Sequence, residues 1–283
     1  MALELIQTIE EIRVRVAGRR AAGARVGFVP TMGALHAGHV SLMTRARDDC
    51  DDVVVSIFVN PLQFDRADDL ERYPRTLSID LEVCRAARVD FVFAPAVGEM
   101  YPREPECAVD VGRLGAHLCG RYRPGHFRGV ATVVLKLLEI VRPDMAYFGE
   151  KDAQQLAVVR RLVHDFNVPV HICAVPTVRE ADGLALSSRN ARLSAQERVR
   201  APVLYKALQL VRQTIDAGIS DTDEIRRRAI AVIPREPDLT LEYLELVDPE
   251  TFQPVERVRG EVIAAGALWV GGTRLIDNVR CSS

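Results

Sequence analysis

VGFVPTMGALHAGHVSLM, residues 26–43, starts as an apolar strand, passes through a loop holding Gly33 and Gly38, and continues near His39 as a helical pattern. A strand with no polar alternation is one covered on both faces. The two glycines let backbone come close to an anion, and the free N–H groups of a helix start point at it. His36 and His39 are three residues apart, so both imidazoles reach one phosphate-sized region. There they can donate to phosphoryl oxygens, where charge accumulates in a transition state. The plain alternative is a surface turn with a cap. A zinc site lacks a third ligand at a familiar spacing.

The same alternation extends through the first 175 residues. Apolar, β-branched runs at Val26–Pro30, Val53–Val59, Asp90–Ala94, Met145–Phe148 and Val170–Val175 are separated by helical patterns at His39–Cys50, Leu77–Arg88, Gly129–Val141 and Asp152–Asp165. This order predicts an α/β, Rossmann-like doubly wound parallel sheet, with ligands in the loops at the strands' carboxyl ends. Beyond Val175 the texture turns polar. Ser194 and Glu197 form a capping box ahead of a helix through Val203–Ile215, and Asp221–Val232 reads as a further helix. Strand-like runs follow at Leu241–Val247, Arg257–Val262 and Ala265–Val270. We therefore expect a first domain over 1–175 and a smaller α+β domain over 176–283 that covers the active site.

Bulk properties narrow the class. The chain has 283 residues, 48% hydrophobic and 27% charged, with a formal net charge of -2. That balance gives no reason to expect nucleic acid or membrane as partner. Six cysteines lack any C-x-x-C pair, which reads as reduced thiols. The N-terminal MALELIQTIEEIRVRVAGRR mixes apolar and charged residues at helical spacing and has no signal-peptide core. The expectation is a cytoplasmic protein. Of the 37 basic residues only Lys136, Lys151 and Lys206 are lysines. In a chain that otherwise uses arginine, each of these compact cations invites inspection.

Lys151 stands out in AYFGEKDAQQL (146–156), where a strand meets Gly149 and a helix opens at Asp152; a phosphate would arrive there. Lys136 and Lys206 lie in apolar helical runs, where a snorkelling stem is expected. Asp152 can hold a ribose hydroxyl or cap the helix. Gln155, one turn along, can bond a substrate without adding charge. In LALSSRNARLS (184–194), Ser187, Ser188 and Arg189 suit a mobile clamp for a triphosphate, although such residues are also ordinary loop composition. SIFVNPLQF (56–64) ends a strand at Asn60-Pro61 and presents Gln63, a neutral amide suited to a small hydroxy acid.

In order and in sequence, PTMGALHAGH, SIFVNPLQF, YPRT (73–76), RPGHFRGV (123–130), FGEKDAQQL and VPTVREADGLALSSRN resemble the pantoate–β-alanine ligase (pantothenate synthetase) family, within the His-x-Gly-His nucleotidylyltransferase superfamily. The resemblance runs from about residue 25 to 195. It implies an AMP-forming ligase that makes an amide bond between pantoate and β-alanine through a pantoyl adenylate, for coenzyme A precursor biosynthesis. It implies that Met32, Gly33, Ala34, Leu35, His36, Ala37, Gly38 and His39 line the ATP site, with His36 and His39 catalytic at the phosphates and His39 the acid. Gly149, Glu150, Lys151, Asp152, Val178, Leu186, Ser187, Ser188 and Arg189 would complete that site, with Lys151 and Arg189 also catalytic. Gln63, Gln155 and Asn60 would hold pantoate, and Gln63 would also meet β-alanine. The family implies a homodimer and Mg2+. Two departures stand out. Ala37 replaces an acidic residue common in the loop, with its side chain expected to face away from ATP. After YPRT only Asp80 remains to ligate the metal. Two rival readings are an adenylyltransferase for a phosphate ester and a non-enzymatic ATP-binding regulator.

Overall fold

The computed structural model describes residues 3–283. The chain divides into two compact units. The first runs to Val111 and adds Arg123–Glu150 and Val158–Pro176; the second takes Gly112–Tyr122, Lys151–Ala157 and Thr177–Ser283.

Six parallel strands build the first unit: β1 (Glu4–Ile6), β2 (Val26–Thr31), β3 (Asp52–Ile57), β4 (Phe91–Phe93), β5 (Met145–Gly149) and β6 (His171–Val175). Their order is β1-β4-β3-β2-β5-β6. From β2 the chain winds one way through β3 to β4 and later the other way through β5 to β6. The order therefore reverses between β2 and β5, the doubly wound arrangement expected from the sequence. Alternate strand residues face opposite sides. Val29, Val53, Val55 and Tyr147 pack with Met43, Ala46 and Cys84 of the helices Ala37–Asp49 and Leu77–Ala86. The helices Ile9–Ala21 and His126–Val141 pack on each other and on β2. Full burial of each large side chain contributes roughly 1.5–3 kcal/mol, which is why these strands carry no polar alternation.

Part of the segment read as helical is a strand. Residues Glu4–Ile6 form β1, paired in parallel with β4, and the helix starts at Ile9 behind the Thr8 cap. Three residues are too few to show a period. Met1 and Ala2 of that segment lie outside the described residues.

The second unit centres on an antiparallel sheet, β7 (Leu239–Val247), β8 (Glu261–Val270) and β9 (Thr273–Ser282), in that order. The helix Val203–Asp216 packs on β8 and β9, with Thr222–Ile230 beside it. Two expected strands, Arg257–Val262 and Ala265–Val270, are replaced by the single β8. Its Gly266 does not interrupt the strand: a Cβ there would lie 2.7 Å from Leu204 Cδ1, so the glycine admits the helix. β9 has no counterpart among the expected strands, although its burial alternates residue by residue. Buried Asp277, within that alternation, disguises the apolar pattern. The Ser194–Glu197 capping box forms, but it heads the short helix Ala195–Arg200, and Pro202 separates that helix from Val203–Asp216.

Candidate active site

The loop after β2 is held by the side chains of Thr31 and Asp80. Thr31 Oγ1 donates to the Ser56 carbonyl at 2.7 Å and accepts from the Gly33 N–H at 3.2 Å. Gly33 and Ala34 then take left-handed backbone, with φ of 82° and 50°. This conformation is strained for the alanine, at a cost of roughly 1–2 kcal/mol. Asp80 secures it. That carboxylate is 1% exposed and accepts from the Ala34 N–H at 3.1 Å, the Leu35 N–H at 2.8 Å and the Thr76 hydroxyl at 3.1 Å. Its two oxygens thus hold the loop after β2. Among the described residues, no group of three or more His, Cys, Asp and Glu side chains is placed to hold a metal ion.

At the helix start the two histidines form a capping box. His36 is the N-cap in extended conformation, and its Nδ1 accepts from the Gly38 N–H at 3.1 Å. His39 Nδ1 accepts from the His36 N–H at 3.3 Å. With Nδ1 used as acceptor, each neutral ring carries its proton on Nε2, the nitrogen pointing away from the cap. The ring centroids lie 4.2 Å apart at 47°. Gly38 permits this fold, since a Cβ there would meet His36 Cε1 at 2.9 Å. Ala37 is exposed, while the other residues from Met32 to His39 are half-buried or buried.

The loop after β3 meets this one. Asn60 caps the short turn Pro61–Gln63. Gln63 Nε2 lies 3.0 Å from Met32 Sδ, and Gln63 Oε1 accepts from Asn60 Nδ2 at 3.1 Å. Asn60 is 1% exposed, and its amide is engaged by protein groups. Arg123 and His126 carry no sequence signal beyond their place in a matching motif. Arg123 Nη2 donates to the Gln63 carbonyl at 3.2 Å, and His126 Nδ1 bonds the same oxygen at 2.8 Å. A Cβ on Gly129 would come within 2.1 Å of the Leu62 carbonyl, so only glycine lets this turn rest on the helix His126–Val141.

In the second unit, the Lys151 carbonyl accepts from Asn278 Nδ2 at 2.9 Å, and Lys151 Nζ lies 3.9 Å from Asp152 Oδ1. Gln154 and Gln155 differ sharply. Buried Gln154 donates to the carbonyls of Leu114 and His117 and accepts from the Cys119 N–H, which ties Gly112–Tyr122 to this unit. Gln155 is half-buried. Ser187 Oγ accepts from the Arg189 N–H at 3.2 Å, capping the turn Ser188–Arg192. The Leu186 N–H donates to the Val178 carbonyl at 3.0 Å. Arg179 fixes this loop with a bidentate pair to buried Asp277, at 2.6 and 2.9 Å, while its guanidinium stacks 3.9 Å from the Tyr205 ring centre. No local signature marks that pair, because its members are 98 residues apart.

Comparison with known proteins places the chain in a family. The profile of the Pantoate-beta-alanine ligase family matches residues 4–280. The chain is 52% identical to the pantothenate synthetase of Heliobacterium modesticaldum over 277 residues, covering 98% of this chain and 99% of the relative. It is 51% identical to that of Moorella thermoacetica over 277 residues, with 98% of each covered. The crystal structure of the Thermus thermophilus pantothenate synthetase superposes with a TM-score of 0.92 at 46% identity, covering 98% of each chain. A Francisella tularensis pantoate–β-alanine ligase, complexed with β-γ ATP and β-alanine, superposes with a TM-score of 0.80 at 33% identity, over 98% of this chain and 97% of that one. The chain belongs to the pantoate–β-alanine ligase family.

Proposed function

We propose that this chain condenses pantoate with β-alanine at the expense of ATP, and that the loops described above carry the reaction. The pantoate carboxylate attacks the α-phosphorus of ATP, the bond to the bridging oxygen breaks, and pyrophosphate leaves. The amine of β-alanine then attacks the mixed anhydride carbonyl, and AMP departs with the amine proton on its phosphate. The enzyme is thus an amide-forming ligase with three small-molecule substrates.

Two anions must meet in the first step, so the residues' work is to offset repulsion and fix orientation. In our reading, Met32 to His39 line the nucleotide, with the Nε2–H groups of His36 and His39 on its phosphates and His39 supplying the proton to the leaving group. Gly149 to Asp152, Val178 and Leu186 to Arg189 bind the rest of ATP, with Lys151, Ser187, Ser188 and Arg189 on phosphate oxygens and Asp152 on the ribose. Gln63 and Gln155 hold pantoate. The observation that carries this reading is the contact of Gln63 with Met32, which sets a neutral amide directly against the nucleotide loop. A phosphate-ester acceptor would call for a cation there, and a mere ATP sensor would need no second amide.

Magnesium belongs to this reading as a companion of the ATP phosphates. The Ala34 and Leu35 N–H groups on the oxygens of Asp80 support keeping it on the loop and the metal on the phosphates. A homodimer, carried by the family resemblance, and a cytoplasmic location, carried by the sequence, are the remaining expectations; no helix among the described residues is long and apolar enough to cross a membrane.

ATP/pyrophosphate exchange with and without pantoate, followed by AMP release on adding β-alanine, tests the assignment. Exchange that requires pantoate, with AMP release requiring β-alanine, is expected. Pantoate-independent exchange, or none, refutes it.

A further inference from the structure

A glutamine can offer a substrate either the donor or the acceptor edge of its amide. At Gln63 the surroundings choose. The choice begins at Asn60, whose own orientation is fixed by two main-chain groups. The Leu62 N–H donates to Asn60 Oδ1 at 3.3 Å, and Asn60 Nδ2 donates to the Gly129 carbonyl at 3.2 Å. Reversing that amide would set N–H against N–H and oxygen against oxygen. Tyr101 adds a third constraint, since its hydroxyl donates to the same Oδ1 at 2.9 Å. Burial pushes the Tyr101 phenol up to about 12, so it stays a donor at any working pH. Its ring is seated 6.0 Å from that of Phe58, with Lys136 Nζ 5.1 Å from its centre. Asn60 therefore shows Nδ2 to Gln63 Oε1, and Gln63 Nε2 is left facing Met32 Sδ, a weak acceptor that a substrate oxygen can replace.

We propose that Tyr101 and Asn60 are positioning residues that lock the Gln63 amide with its donor edge outward, so that the acceptor site takes its substrate through an oxygen that accepts. The proposal rests on the reading of that substrate as pantoate, whose carboxylate can only accept. Neither Tyr101 nor Asn60 need touch the substrate for this role.

The test is Tyr101→Phe in two backgrounds, read by ATP/pyrophosphate exchange. Phenylalanine keeps the ring and removes one hydrogen bond of ordinary net worth, so the KM for pantoate should rise about fivefold. The KM for ATP, kcat and the melting temperature should stay near wild type. In a Gln63→Ala background the same change should have no further effect on pantoate, because its influence runs through Gln63. Asn60→Asp, which turns an oxygen toward Gln63 Oε1, should raise the pantoate KM far more. An equal Tyr101→Phe effect in both backgrounds, or an equal shift in the ATP KM, overturns the relay while leaving the acceptor reading intact. Wild-type exchange that ignores pantoate overturns both.

Discussion

Replacing Asp80 should cripple ATP use without altering the need for magnesium. In Asp80→Ala the N–H groups of Ala34 and Leu35 lose a charged acceptor, as does the Thr76 hydroxyl. A hydrogen bond to a charged group contributes roughly 1.5–3 kcal/mol. Ala34 and Leu35 are half-buried, so water recovers part of the loss, and the lower limit applies. The two amides then give about 3 kcal/mol, which weakens the loop's ordered form by roughly 100-fold. Relief of the left-handed Ala34 backbone pulls in the same direction. We therefore expect kcat/KM for ATP to fall by about two orders of magnitude in pantoate-dependent exchange. Asp80→Asn keeps one acceptor oxygen and should fall by about tenfold, since roughly 1.4 kcal/mol corresponds to a factor of ten. The magnesium concentration for half-maximal rate should match wild type in both variants. An Asp80→Ala enzyme within threefold of wild type refutes the reasoning. So does equal loss in both variants that extra magnesium restores, for that result would make Asp80 a ligand.

Other expectations follow from the same geometry. His39→Ala should abolish adenylate formation in single turnover while circular dichroism shows an intact fold, because the cap bond it gives up contributes about 1 kcal/mol; unaltered adenylate formation would remove His39 from the chemistry. Gln63→Ala should raise the KM for pantoate and β-alanine far more than that for ATP, and an ATP-selective defect would contradict its placement. Gly129→Ala, favourable by helix propensity alone, should instead destabilise the first unit by about 1–3 kcal/mol in denaturant titration, since the new methyl group meets the Leu62 carbonyl. A neutral or stabilising result would mean that the turn yields freely. Arg179→Met leaves Asp277 buried without its cation and should cost the second unit roughly 3–5 kcal/mol, with partial recovery on adding Asp277→Asn. A loss below about 1 kcal/mol would show that the pair does not hold the loop.

What the chain discloses depends on how far apart the partners are in sequence. β2, β3 and β5 are legible because a strand covered on both faces can carry only apolar residues, and the strand-to-helix loops follow from local glycine and cap chemistry. β8 and β9 are harder to read. One contains a glycine needed by Leu204, and the other contains a carboxylate needed by Arg179 from far along the chain. The same limit governs the site. Nothing near Asp80 signals that it holds a loop 45 residues away, and only the family resemblance suggested a metal there. Nothing near Tyr101 announces Asn60. Likewise, Gly112–Tyr122 is attached to the second unit by partners distant in sequence, among them the three hydrogen bonds of Gln154 and the Cys119–Tyr243 contact. The histidine loop is instructive for the opposite reason. From the sequence, a cap and an anion grip looked like competing explanations of His36 and His39. Each ring has two nitrogens, however, and the cap uses only Nδ1. Capping is therefore what holds Nε2–H outward, and a substitution that preserved a donor but lost the cap would lose the aim of the donor as well.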